Sequence, residues 1–158
     1  MTPQEFFKKY STEFIIATNG TPLLPSVKAA QAALESGYGK STIGPANNLF
    51  GIKATGQISP YWDGSTYRAS TGEYLNGKNV TITDGFRVYK TLSDSIRDHS
   101  HLLMTLQRYQ PVRSAITPED QAYALQSAGY ATDPTYASKL ISIINKYNLK
   151  ELDKKKAL

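Results

Sequence analysis

Cysteine is absent from the 158 residues, which excludes disulfides and thiolate metal sites. The absence leaves the redox compartment open, because a chain without cysteine is viable in either environment. No stretch approaches the roughly 20 apolar residues that a membrane-spanning helix requires. The N-terminal MTPQEFFKKYSTEF lacks the apolar centre of a signal peptide and begins with a helix start signal. There is no arginine-rich run and no aromatic nucleic-acid motif, so nucleic acid is not the expected partner. Gly39-Lys40-Ser41 ends like a phosphate-binding loop, but Leu34 stands where that motif needs its first glycine. The only two histidines, His99 and His101, are two positions apart on a predicted helix and point to different faces. No second cluster of ligands accompanies them, so no metal site and no cofactor is expected. Neither Ser95 nor Ser100 lies in a nucleophile elbow, which leaves a Ser–His–Asp arrangement unsupported. Repeats and a second domain are also missing.

The composition is that of an ordinary globular protein, with 40% hydrophobic and 20% charged residues. The chain is long enough for one domain with a proper core, placed at residues 1–150, followed by a charged and solvated tail at 151–158. The net charge of +5 is compatible with an anionic partner, and a cell wall or mere solubility fits better than DNA.

Thr2-Pro3-Gln4-Glu5 reads as a capping box with proline at the first helical position. Phe6, Phe7, Tyr10, Phe14 and Ile15 supply the apolar face of that helix, which is expected to end near Asn19-Gly20. A second helix opens at Pro25 or Ser26, with Val27, Ala30, Ala33 and Leu34 as its stripe and Gly37 at its end. From Gln57 to Tyr89 helical periodicity vanishes and Tyr, Thr, Gly and Asn take over. Asn76-Gly77 is a strong hairpin signal, with a second turn conceivable at Asp84-Gly85, which predicts one long hairpin or three short strands. Three further helices follow. The first is capped by Thr91 or Ser93 and places Leu92, Ile96, Leu103 and Leu106 inward. The second starts at Thr117-Pro118 and the third at Asp133-Pro134. The fold class is therefore α+β and mainly helical, with a small antiparallel hairpin lobe.

Glu35 falls in the last turn of the second helix, where the helix dipole places partial negative charge. That repulsion, together with any burial, raises a carboxyl pKa, and a carboxyl kept protonated near neutrality is what a general acid requires. The bland alternative is a solvated glutamate at a helix end. Tyr61 and Trp62 could offer flat faces to sugar rings or could simply be strand formers.

ALESGYGKS followed by NNLFGIKA resembles the glucosaminidase family of peptidoglycan hydrolases, which includes flagellar-rod hydrolases, autolysins and phage endolysins. FRVYKTLSDSIRDHSHLL and AGYATDPTYASKLISII resemble later segments of the family in the same order. The likeness covers roughly Leu24 to Tyr147 and implies a lysozyme-like fold. It further implies an endo-β-N-acetylglucosaminidase acting on wall glycan, with Glu35 as general acid. A second carboxylate is sought among Asp63, Glu73 and Asp84. Asp63 and Asp84 stand beside glycines and read as turn residues, whereas Glu73 matches the family's hairpin base. Tyr130, after the glycine of AGYATDPTY, matches a tyrosine that projects into the family's groove. Tyr38, Asn48, Phe50, Tyr61 and Trp62 are the expected substrate contacts.

A muramidase or lytic transglycosylase on the same scaffold stays open, as does a non-catalytic glycan-binding module. The expected setting is a monomeric phage endolysin, with no signal peptide and no stable membrane insertion, starting at Met1. It would be held in the host cytoplasm until release onto the cell wall. A domain of a longer autolysin would read nearly the same.

Overall fold

The computed structural model describes residues 1–157. Its helical body contains α1 (Pro3–Ile16), α2 (Pro25–Ser36), α3 (Leu92–Thr105), α4 (Gln110–Ser114), α5 (Pro118–Ser127), α6 (Tyr136–Lys146) and α7 (Lys150–Asp153). Strands β1 (Thr66–Leu75) and β2 (Lys78–Arg87) form the single hairpin lobe. No helix among the described residues is long and apolar enough to cross a membrane.

The helix signals act as read. Thr2 and Glu5 exchange backbone and side-chain hydrogen bonds in a complete capping box. Helix α1 ends at Ile16, a turn before Asn19-Gly20. Gly37 closes α2 in the left-handed region at φ 59°, and the next amide donates to Ala33 O at 2.8 Å. That glycine is the residue with least steric cost at such a cap.

Helix α2 is the central strut. It packs against α1, α5, α6 and α7, and every residue from Pro25 to Ala33 is buried. Ala29, Ala30, Ala32 and Ala33 are wholly inaccessible, which lets neighbouring helices approach on several sides. The wider core adds Phe6, Phe14, Leu49, Ile96, Leu125, Leu140 and Ile144.

The hairpin turns at Asn76-Gly77, with Leu75 paired to Lys78. Both turn residues have positive φ, 51° and 77°, matching the right-handed twist of the flanking strands. Asp84-Gly85 makes no turn. It lies inside β2 opposite Ala69 and Arg68, because ten ladder pairs run unbroken from Thr66↔Arg87 to Leu75↔Lys78.

Two expectations need correction. Leu106 is 39% exposed, since α3 stops at Thr105 and Leu106 is already extended. Within the segment expected to be a solvated tail, Leu152 and Asp153 are instead docked. Residues 150–153 form α7, Leu152 is buried, and Leu149, three positions earlier on the same face, joins it in the core. Surrounding charges masked that apolar pair in the sequence. Asp153 accepts from Ser26 N at 2.9 Å and Ser26 Oγ at 2.7 Å. It thereby supplies the cap that Leu24, the N-cap residue of α2, lacks.

Asp153→Ala should therefore lower stability by about 1–2 kcal/mol, the usual cost of losing an N-terminal cap. Thermal melting should show this as a fall of roughly 2–8 °C. An unchanged melting point would show that the C-terminal segment contributes nothing to α2.

Candidate active site

A groove of about 1000 Å³ runs between the helical body and the hairpin side. Its walls come from residues 50–58, from the second half of α3 with the turn after it, and from the link between α5 and α6. Glu35 and Glu73 both face it.

Glu35 is held by the penultimate position of α2. Its side chain is open to solvent along the groove but closely surrounded by the groove walls. Desolvation by those walls pushes its pKa up to about 7. The Tyr136 hydroxyl opposes the rise by hydrogen bonding, and the negative charge of Glu73 adds to it. Tyr136 is itself fixed by Gln31, whose Nε2 donates to its hydroxyl at 3.0 Å. Gln31 sits one turn before Glu35 on α2, so a single helix carries the acid and the group that orients the acid's neighbour.

Glu73 reaches the groove from β1. Lys53 Nζ lies 3.4 Å from its carboxylate and 3.3 Å from that of Asp84. The other two candidate carboxylates do not line the groove. Asp63 closes an exposed turn by accepting from Ser65 N at 2.9 Å and Ser65 Oγ at 2.6 Å. Asp84 accepts from Gly85 N at 2.8 Å besides its ion pair.

Tyr130 lines the groove from the α5–α6 link. Its ring stacks on Tyr136 at 5.7 Å and meets His99 edge-on at 5.9 Å. Burial, reinforced by the charge of Glu35, raises its pKa well above the ordinary tyrosine value, so it stays a neutral phenol. Phe50 lines the floor, stacked on His99 at 3.9 Å.

The remaining expected contacts lie elsewhere. Tyr38 packs into an aromatic cluster with Phe6, Phe7 and Tyr147 and does not line the groove. Asn48 is buried and ties the loop behind the groove. It donates to Ile52 O at 2.8 Å and Arg87 O at 2.9 Å, and accepts from Ile52 N at 3.0 Å. Trp62 is only 5% exposed, with the Arg87 guanidinium 3.9 Å over its ring. Its indole N–H donates to Ser65 O at 2.9 Å, so no face is left for a sugar. Tyr61 lies beside the groove, edge-on to His101 at 6.3 Å, but is not part of its lining.

Sequence reasoning did not single out Tyr136, Lys53, Tyr109 or Arg108. Tyr136 had no local signal, because its partners on α2 are far away in the chain. Lys53 alone was detectable in principle, as the cation just beyond NNLFGI. No group of three or more His, Cys, Asp or Glu among the described residues is arranged to hold a metal.

A family model named Glucosaminidase, described as mannosyl-glycoprotein endo-beta-N-acetylglucosaminidase, matches residues 11–149. The chain is 41% identical over 137 residues to the exo-glucosaminidase LytG of Bacillus subtilis, covering 83% of this chain and 46% of that protein. It is 39% identical over 146 residues to the peptidoglycan hydrolase FlgJ of Salmonella typhimurium, covering 89% of this chain and 45% of that protein. The chain thus spans less than half the length of either relative. A crystal structure of a peptidoglycan hydrolase mutant from Sphingomonas sp. A1 matches with a TM-score of 0.79 at 34% identity, covering 94% of this chain and 97% of that one. The helical body with its hairpin is the expected lysozyme-like fold.

Carboxyl-carbon NMR titration should place Glu35 near pH 7. Tyr136→Phe removes the hydroxyl that holds the value down, so the midpoint should move to higher pH. Glu73→Gln removes a charge that holds it up, so the midpoint should move lower. Shifts of the opposite sign would refute this account of the acid's environment.

Proposed function

The chain belongs to the glucosaminidase family, and we propose that it hydrolyses the glycan strands of bacterial peptidoglycan on the reducing side of N-acetylglucosamine. The observation that carries this reading is one groove holding two carboxyl groups in unlike settings. Glu35 is raised to about 7 by desolvation, and Glu73 is ion-paired with Lys53. Environments that differ in this way are how glycoside hydrolases divide acid from base.

In the proposed reaction Glu35 gives its proton to the glycosidic oxygen as the bond to the anomeric carbon breaks. Glu73 takes a proton from the water that attacks the opposite face, so the configuration inverts. Tyr130, as a neutral phenol, donates a hydrogen bond to the sugar in the groove. The net charge of +5 favours settling on an anionic wall.

The test is mass spectrometry of borohydride-reduced products from purified peptidoglycan. Reduced N-acetylglucosamine ends are expected, with the rate falling as the pH rises through 7 because Glu35 loses its proton. Glu35→Gln should reduce turnover by roughly 10²–10⁴-fold, the range for a general acid. Glu73→Gln should lose a comparable factor, and near-normal turnover would remove it from the mechanism. Reduced muramic ends would change the bond, and anhydro-muramic ends would replace hydrolysis by transglycosylation.

A further inference from the structure

We propose that the groove wall formed by Ile58, Leu106 and Arg108 is a subsite for the carboxylate-bearing peptide that hangs from the wall glycan. The inference rests on the groove holding that glycan, as proposed above. Lys53, Arg87 and Arg108 supply the lysine and arginine cations that line the groove. Lys53 is engaged by Glu73 and Asp84. Arg87 is buried and paired with Asp98 at 2.9 Å. Arg108, among the described residues, meets no carboxylate and lies exposed, 4.7 Å over the ring of Tyr109. Tyr109 is buried and sits 6.1 Å from Tyr130, so the guanidinium rests on a fixed aromatic wall. The Arg108 guanidinium hydrogen-bonds the Tyr109 side chain, and its remaining N–H groups match a carboxylate.

Two exposed aliphatic side chains line the same groove. Ile58 is 69% exposed and Leu106 is 39% exposed. The exposure of Leu106 is built into the fold. Arg113 Nη1 donates to Leu103 O at 2.6 Å and Leu106 O at 3.0 Å, which stabilises the end of α3 and turns Leu106 outward. The bare saccharide presents hydroxyl and acetamide groups and, where its peptide has been removed, a lactyl carboxylate, which would match the guanidinium but not the aliphatic side chains. A short peptide linked through the lactyl group presents methyl side chains and free carboxylates, which this wall complements. Phosphate-rich wall polymers would match the charge but not the aliphatic pair.

The deciding experiment uses soluble, uncross-linked glycan strands freed of wall polymers, compared with the same strands after an amidase has removed their peptides. Wild-type kcat/KM should be roughly tenfold higher on the peptide-bearing strands, the size of a charge-assisted contact. In Arg108→Gln that ratio should fall toward one, and Arg108→Lys should keep part of it. Ile58→Ser should lower it as well. A wild-type ratio near one, or an Arg108→Gln variant that slows both substrates equally, would overturn the subsite. So would an advantage seen only on walls that retain their phosphate polymers. No new reducing ends from either substrate would overturn the hydrolase reading itself, and the subsite with it.

Discussion

The ion pair between Arg87 and Asp98 is the constraint on which the groove depends. Both residues are buried, and removing two charges from water is costly unless every polar atom finds a partner. Here the partners are present. Asp98 accepts from Arg87 at 2.9 Å, from Tyr89 at 2.5 Å and from Ser59 at 2.6 Å. Arg87 also donates to Lys53 O at 3.2 Å and Thr55 O at 2.5 Å, with Trp62 covering its face. One guanidinium thus joins the base of the hairpin, the loop from Lys53 to Trp62, and α3. These are three of the groove's walls. The hairpin is consequently pinned at its root, while its outer half around Asn76-Gly77 is exposed. Glu73 lies in that outer half, and its ion pair with Lys53 is what connects it to the floor.

Glu35 has a different kind of support. Lys28, Gln31 and Glu35 follow helical spacing along α2 and form a polar stripe through an otherwise alanine-lined helix. Lys28 donates to Ile96 O at 3.0 Å and contacts His99 Nδ1 at 2.6 Å. Burial lowers the pKa of Lys28 and of His99 well below their ordinary values. His99 in turn stacks beneath Phe50, so the stripe supports the groove floor as well as the acid. A helix packed on several sides cannot shift without disturbing the core, which fixes Glu35 far more tightly than a loop would.

Much of this was legible in the sequence because the signals were local. The capping box at Thr2, the glycine closing α2 and the Asn76-Gly77 turn each depend on a few adjacent residues, and each formed as read. The direction of the Glu35 pKa shift was legible for the same reason, although walls from distant segments, rather than the helix end, dominate it. The groove lining was less legible because aromatic or amide character does not reveal which way a side chain faces. Trp62 and Tyr38 have the chemistry of sugar platforms but spend it on Arg87 and on Phe6, Phe7 and Tyr147. Asn48 has the chemistry of a ligand-binding amide and spends it on the backbone carbonyls of Ile52 in the loop and Arg87 at the end of β2. The docking of α7 escaped notice because Leu149 and Leu152 are separated and followed by charges, and only the folded body shows what they cover.

The contrast between the two carboxylates also links binding to protonation. Glu35 is raised mainly by desolvation, yet one side of it remains open to water. A glycan bound there, as proposed, would displace that water and extend the same desolvation to the open side, which favours the protonated form further. Glu73 approaches from the outer half of the hairpin, so any closure of the hairpin over a bound strand brings its negative charge nearer and acts in the same direction. In the proposed hydrolysis the proton on Glu35 would therefore be retained more firmly with a substrate present than with the groove empty. One carboxyl built on a rigid helix and a second carried on a hairpin pinned only at its root make that coupling available to the proposed reaction without any further titratable group.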